Sequence, residues 1–173
     1  IMNKILLIIS GSIAASRCKE IITLLNNKEV NISCILTKEA KKYVKISDIK
    51  KLLKNRIFTD EDEKKNKMLH INLSRDNDII VVCPATANSI AKFANGYGDN
   101  LASNTLLASN KKILFVPAMN SFMWHNKINQ KNVKLLKDSG HEFIGPRVGK
   151  LKCGEFGLGR IDNSRNIVNR ILN

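Results

Sequence analysis

Five short apolar runs alternate along this chain with stretches in which apolar residues recur at the helical period, and that rhythm restricts the possible folds most. The runs are residues 5–9 (Ile-Leu-Leu-Ile-Ile), 30–36, 79–83, 113–116 and, more weakly, 143–144. Three of them are nearly continuous in β-branched residues and leucine, as suits strands covered on both faces. Between the first two, Ala14, Cys18, Ile21, Ile22 and Leu25 share one helical face, with Lys19, Glu20, Asn26 and Asn27 opposite. Helical patterns follow over 46–54, 89–94, 101–109, 129–137 and 163–172. Strand and helix in alternation imply right-handed crossovers and an α/β fold, a three-layer sandwich with a mostly parallel sheet flanked by helices. The 173 residues suit one domain spanning 1–173, and the charge run 59–67 reads as a mobile surface loop.

The residues that follow each strand carry more chemistry than the strands. The first run ends in Ser10-Gly11-Ser12, the second in Thr37, the third in Pro84-Ala85-Thr86-Ala87-Asn88 and the fourth in Pro117-Ala118-Met119-Asn120. Ligands of open parallel sheets bind beyond the carboxyl ends of the strands. Small residues there admit a ligand to the backbone, and hydroxyls and amides then hydrogen-bond it. A helix starting near Ser12 also points free N–H groups at that crevice, suiting a phosphate. Gly11 stands alone, so the three-glycine dinucleotide fingerprint is absent, and no Lys follows a glycine-rich loop. A cofactor with one phosphate, held by Ser12, Thr37 and Thr86 and by backbone amides, fits better than NAD or ATP. Spacing alone equally allows these residues to be ordinary turn and helix-cap positions.

A formal charge of +14 raises the question of nucleic acid. The lysines are scattered and no aromatic residues interleave with them, so the charge reads as a solvated surface that favours anionic small molecules. Cys18, Cys34, Cys83 and Cys153 show no paired spacing, which argues for reduced thiols in a cytoplasmic protein without a metal site. No apolar run approaches the roughly 20 residues of a membrane span, and the first residues lack a secretory-signal layout.

Four segments, taken in order, resemble the homo-oligomeric flavin-containing cysteine decarboxylases. They are Gly11-Ser12-Ile13-Ala14-Ala15, Pro84-Ala85-Thr86-Ala87-Asn88-Ser89, Pro117-Ala118-Met119-Asn120-Ser121-Phe122-Met123-Trp124, and Cys153-Gly154-Glu155-Phe156-Gly157-Leu158-Gly159-Arg160. The resemblance implies a Rossmann-like or flavodoxin-like sandwich and FMN as cofactor. It places Gly11, Ser12, Ile13, Thr37, Thr86, Ala87, Asn88 and Ser89 at the flavin. It gives His70 the active-site histidine, Asn120 the hold on the substrate carboxylate, and Cys153 the proton-donating thiol. Met119, Met123, Lys152 and Gly154 complete the substrate contacts. Within the family the segments are most similar to the members that decarboxylate N-(4′-phosphopantothenoyl)-cysteine to 4′-phosphopantetheine on the route to coenzyme A. Trimers, often gathered into dodecamers, with active sites shared across subunit boundaries, are implied too, as is a ligase domain or partner. No nucleic-acid or membrane partner is expected.

The implied chemistry needs these groups. Loss of CO₂ from an amide-linked cysteine leaves a carbanion with no electron sink, unless the thiol-bearing carbon is first oxidised by the flavin. His70, with an imidazole poised near neutrality, suits a base or partner for the substrate thiol. Asn120 orients a carboxylate without neutralising it. Cys153, near Lys150, Lys152 and Arg160, is expected to have a lowered pKa and to return a proton to carbon. Each residue has a plainer reading as well: His70 as a structural residue, Asn120 as a helix cap, Cys153 as part of a tight turn. Ser16-Arg17, the single acid at Asp99-Asn100, and Ile161-Asp162-Asn163 depart from the family pattern. A peptide-cysteine decarboxylase and a regulatory subunit on the same fold are the alternatives.

Overall fold

The computed structural model describes residues 4–53 and 57–173. Six parallel strands form the main sheet: β1 (Lys4–Ile9), β2 (Asn31–Leu36), β3 (Ile57–Phe58), β4 (Ile79–Ala85), β5 (Ile113–Pro117) and β6 (Glu142–Phe143). Period-two alternation divides their side chains between two cores. Ile5, Leu7 and Ile9 of β1 face one side with Cys34, Leu36 and Val81. Leu6 and Ile8 face the other with Ile35, Ile80, Val82 and Phe115. The first core is closed by α1 (Cys18–Asn26), α2 (Ile46–Leu53) and α9 (Ser164–Leu172). The second is closed by α4 (Leu69–Asp76), α5 (Ala87–Ala94), α6 (Leu101–Leu107) and α8 (Lys127–Asp138). Leu7 is fully buried, and truncating such a side chain to Ala typically costs about 2–5 kcal/mol.

Strand order is β3-β2-β1-β4-β5-β6, the doubly wound order that reverses direction between β1 and β4. It belongs to the Rossmann alternative of the expected sandwich; the flavodoxin-like order differs. Adjacent strands wound in opposite senses leave a crevice at their carboxyl ends, where the Ser10-Gly11-Ser12 and Pro84–Ala87 segments emerge.

Several elements differ from the sequence expectation. The charge run 59–67 contains helix α3 (Asp60–Lys65) rather than a loop. Asp62 Oδ2 accepts hydrogen bonds from Thr59 N (2.8 Å) and Thr59 Oγ1 (3.0 Å), so Thr59 and Asp62 staple the first turn. Asp60–Glu63 lie at the positive end of the helix dipole and Lys64 and Lys65 at the negative end. A charge sequence that looks like solvated loop is thus ordered for helix termini. Asp60 Oδ1 also accepts from Leu101 N at 2.9 Å, docking α3 on the start of α6.

The helix expected from Ala14 begins as a 3-10 turn (Ile13–Arg17) before α1 takes over. Lys54, to which the second helical pattern extends, lies outside the described residues. The antiparallel hairpin of β7 (Arg147–Lys150) and β8 (Phe156–Arg160) forms a separate two-stranded sheet that the apolar pattern does not announce. It is basic and glycine-rich, with little apolar alternation to register. Helix α7 (Ser121–His125) is too short to display a period. Among the described residues, no helix is long and apolar enough to cross a membrane.

Candidate active site

A cavity of about 1320 Å³ opens at the carboxyl ends of β1, β4 and β5. That exceeds the roughly 300–1,000 Å³ of a single small-molecule pocket, leaving room for two ligands side by side. Its walls are mixed. Val82, Phe93, Ala102, Leu106 and Met119 supply an apolar face, whereas Ser12, Thr37, Thr86, Ser89 and Asn120 supply hydroxyls and an amide.

The hydroxyls at the strand ends serve as caps and also line the cavity. Ser12 Oγ accepts from Ala14 N at 3.2 Å, and Thr37 Oγ1 accepts from Ala40 N at 3.2 Å. Thr86 Oγ1 accepts from Ser89 N at 3.1 Å and lies 2.9 Å from Ser89 Oγ. Accepting a backbone N–H fixes a hydroxyl oxygen while its own proton can still be donated. The capping reading holds, and the same hydroxyls line the cavity. Helix geometry leaves the first N–H groups of α5, at Ala87 and Asn88, without intrahelical acceptors, directed at the same crevice. Gly11 has a different purpose. A Cβ there would come within 2.4 Å of Glu39 Cβ, so the glycine lets the 37–42 segment pack against the cavity floor.

Asn120 is the N-cap of α7. Its Oδ1 accepts from Phe122 N (2.8 Å) and Met123 N (3.4 Å), which fixes the amide plane and turns Nδ2 toward the β7–β8 hairpin. There Nδ2 donates to Glu155 Oε2 at 2.7 Å and lies 3.6 Å from Cys153 Sγ. The Cys153 thiol in turn donates to Glu155 Oε2 at 3.5 Å. Cys153 occupies the hairpin tip because Leu151 N bonds Glu155 O (2.7 Å) and Gly154 N bonds Leu151 O (3.0 Å). Gly154 has φ +93°, in the left-handed region that favours glycine, so this turn depends on it. Lys150, Lys152 and Arg160 line the same cavity as Cys153. Its hydrogen-bonding neighbours are Asn120 and Glu155, an acid that the sequence reading passed over. Glu155 is the single acid among residues 147–160, which also carry Arg147, Lys150, Lys152 and Arg160, and that solitary charge was the available signal.

The hairpin rests on the β5–α7 segment through glycines. Met119 N donates to Gly159 O at 3.0 Å. A Cβ on Gly159 would meet Met119 O at 2.2 Å, and one on Gly157 would meet Ser121 Oγ at 2.8 Å. Gly159→Ala should accordingly push the hairpin off Asn120, leaving the two cores intact. We expect little change in far-ultraviolet circular dichroism, a fall in melting temperature of several degrees for a loss of about 1–3 kcal/mol, and faster proteolysis within 147–160.

Of the residues expected at the site, Gly11, Ser12, Ile13, Thr37, Thr86, Ala87, Asn88, Ser89, Met119, Asn120, Met123, Lys152, Cys153 and Gly154 all line this one cavity. His70 is not among the described residues lining it. It lies near the start of α4, with Nδ1 paired to Glu63 Oε1 of α3.

The thiols divide sharply. Cys18, Cys34 and Cys83 are buried and unpaired, and Cys153 is exposed. Interaction with Cys83 and burial push the Cys18 pKa up, and burial pushes up that of Cys34. A thiol-specific disulfide reagent should therefore modify one cysteine rapidly in the native protein and all four after denaturation. Fast labelling of two or more would contradict this burial.

The family model described as "Flavoprotein" matches residues 2–173. The "Coenzyme A biosynthesis bifunctional protein CoaBC" of Bacillus subtilis is 34% identical over 168 residues, 96% of this chain and 41% of that protein. The chain thus spans about two fifths of that bifunctional relative. A "Probable phosphopantothenoylcysteine decarboxylase" of Streptococcus mutans is 32% identical over 98% of this chain and 97% of its own. Among solved structures, a cysteine-to-serine mutant of PPC decarboxylase complexed with pantothenoylaminoethenethiol superposes with a TM-score of 0.89, at 28% identity, covering 99% of this chain and 97% of that one. With the family model spanning nearly every residue and the cavity built from the same four segments, this chain belongs to the Flavoprotein family.

Proposed function

We propose that the chain binds FMN at the β1–β4 crevice and decarboxylates N-(4′-phosphopantothenoyl)-cysteine to 4′-phosphopantetheine. The observation that carries this reading is the meeting of Asn120 Nδ2 and Cys153 Sγ at one carboxylate oxygen, on the wall of a cavity large enough for cofactor and substrate together. The crevice suits the flavin. The apolar face at Val82, Phe93, Ala102 and Leu106 matches a flat ring system, and the Ser12, Thr37 and Thr86 hydroxyls with the α5 amides match one phosphate.

Bound FMN supplies the two-electron acceptor without which loss of CO₂ would leave an unstabilised carbanion. The protein's share is positioning and proton transfer. Asn120, its amide plane fixed by the α7 cap, presents Nδ2 to the substrate carboxylate and orients the bond that breaks. A neutral amide holds the carboxylate without trapping its charge, so CO₂ can depart. Cys153, at the hairpin tip and within reach of Asn120, delivers the proton to carbon that completes the saturated thiol product. Lys152, Met119, Met123 and Gly154 line the same cavity and complete the substrate contacts in this reading.

His70 lies outside the cavity of its own chain, which supports a site completed by a neighbouring copy in a trimer or in a dodecamer built of trimers. The Glu63 carboxylate would then orient its imidazole. We assign the whole 1–173 stretch to one decarboxylase domain in the cytoplasm, where three buried free thiols remain reduced. A phosphopantothenate–cysteine ligase, joined or separate, supplies its substrate.

Purified protein supplied with N-(4′-phosphopantothenoyl)-cysteine should release CO₂ and form 4′-phosphopantetheine in equal amounts. Decarboxylation of a peptide ending in cysteine, with the phosphopantothenoyl compound refused, would move the chain to the peptide-modifying branch. Binding of flavin with neither activity would favour a regulatory subunit.

A further inference from the structure

We infer that Glu155 is an internal stand-in for the substrate carboxylate, a latch that holds the β7–β8 hairpin over Asn120 until a substrate displaces it. The inference rests on the reading of Asn120 as the carboxylate holder. It adds a specificity-determining residue on the β7–β8 hairpin.

Three observations converge. Asn120 Nδ2, the donor intended for a carboxylate, already holds one: Glu155 Oε2 at 2.7 Å. The same oxygen accepts from the Cys153 thiol at 3.5 Å, so one carboxylate engages both groups assigned to the chemistry. Glu155 also stands amid four basic residues of its own hairpin segment, yet among the described residues none lies within ion-pairing distance of it. A flexible carboxylate beside lysines ordinarily finds a cation or water. This one is turned to a neutral amide held in a fixed plane.

Asn120 has no free donor for a second carboxylate, because Oδ1 is committed to the α7 cap and the two N–H groups of Nδ2 are taken by Glu155 Oε2 and Cys153 Sγ. A substrate must therefore displace Glu155, which lowers its apparent affinity by the fraction of time the latch is closed. Decarboxylation removes the competitor from the ligand. The product has no carboxylate for Asn120, so Glu155 can return to the amide and to the thiol. The latch thus distinguishes a ligand that carries the carboxylate from one that has lost it, and it engages the Cys153 thiol between turnovers. Being an exposed, charge-assisted contact, it should shift affinity by about three- to tenfold rather than by orders of magnitude.

Calorimetric titration of the FMN-loaded protein and its Glu155→Ala and Glu155→Gln variants tests this, with two probes. One is 4′-phosphopantothenoyl-serine, which keeps the carboxylate and has a hydroxyl in place of the thiol; the other is 4′-phosphopantetheine. Glu155→Ala should bind the serine probe about three- to tenfold more tightly, leaving affinity for 4′-phosphopantetheine unchanged. Glu155→Gln, isosteric and uncharged, should fall between wild type and Glu155→Ala. Hydrogen exchange within 147–160 should quicken in Glu155→Ala without ligand and return to the wild-type rate with the serine probe. Weaker or unchanged binding of the serine probe would overturn the latch, as would tightening of both probes alike. If wild-type protein binds neither probe and releases no CO₂ from the cysteine substrate, the underlying reading of the site fails instead.

Discussion

Asn120→Asp should abolish most decarboxylation while leaving the protein folded and able to hold flavin. The substitution separates the two roles that one side chain performs. Aspartate is as good an N-cap as asparagine, so Oδ1 can still accept from Phe122 N and Met123 N, and α7 should be retained. Nδ2 is lost, and with it the donor that orients the departing carboxylate. In its place stands a second negative charge facing Glu155 and any carboxylate substrate. Losing a positioning donor of this type and gaining a like charge should cost on the order of 10²–10³-fold in kcat/KM. The checks are steady-state CO₂ release and, on the same sample, the melting temperature and flavin absorbance. Activity within about threefold of wild type would remove Asn120 from the mechanism.

Cys153→Ser should produce a different defect: one rapid release of CO₂ followed by a stall. A hydroxyl occupies nearly the same space at the hairpin tip and can still hydrogen-bond Glu155, so substrate binding and carboxylate loss should persist. It is a far weaker acid than a thiol, and the proton needed at carbon is no longer delivered. CO₂ should therefore stop near about one equivalent per site, with an unsaturated thiol accumulating, and the slow phase should fall by on the order of 10²–10⁴-fold. Quenched-flow measurement of CO₂ alongside mass analysis of the thiol product distinguishes this from simple inactivation. Undiminished formation of 4′-phosphopantetheine would contradict the role given to the thiol.

The alternation of strands and helices was legible because buried parallel strands leave an unmistakable mark: the runs at 5–9, 79–83 and 113–116 became β1, β4 and β5 within a residue or two. The residues after them were legible for the same reason, since the ends of such strands are where this fold can bind anything. What escaped was held together by other forces. Helix α3 has no buried residue and is ordered by its cap, its dipole and a docking bond from Leu101, none of which appears in an apolar pattern. The β7–β8 hairpin is set by glycines that admit the Met119 backbone and the Ser121 side chain, so its determinant lies in a distant segment. Glu155 was missed because its partner, Asn120, lies 35 positions away and the two meet only when the hairpin folds over. His70 shows the converse. The residue resembles its family counterpart in sequence, yet within one chain it faces Glu63, apart from the cavity.

The dependence of all these groups on a flavin at the β1–β4 crevice can be tested directly by equilibrium titration of FMN into flavin-stripped, folded protein, followed by visible absorbance and ultrafiltration. Binding should saturate at about one FMN per chain, be competed by riboflavin 5′-phosphate analogues but not by NAD, and weaken when Ser12 and Thr86 are both replaced by Ala. Folded protein that stays colourless and retains no FMN at any workable concentration would contradict that dependence.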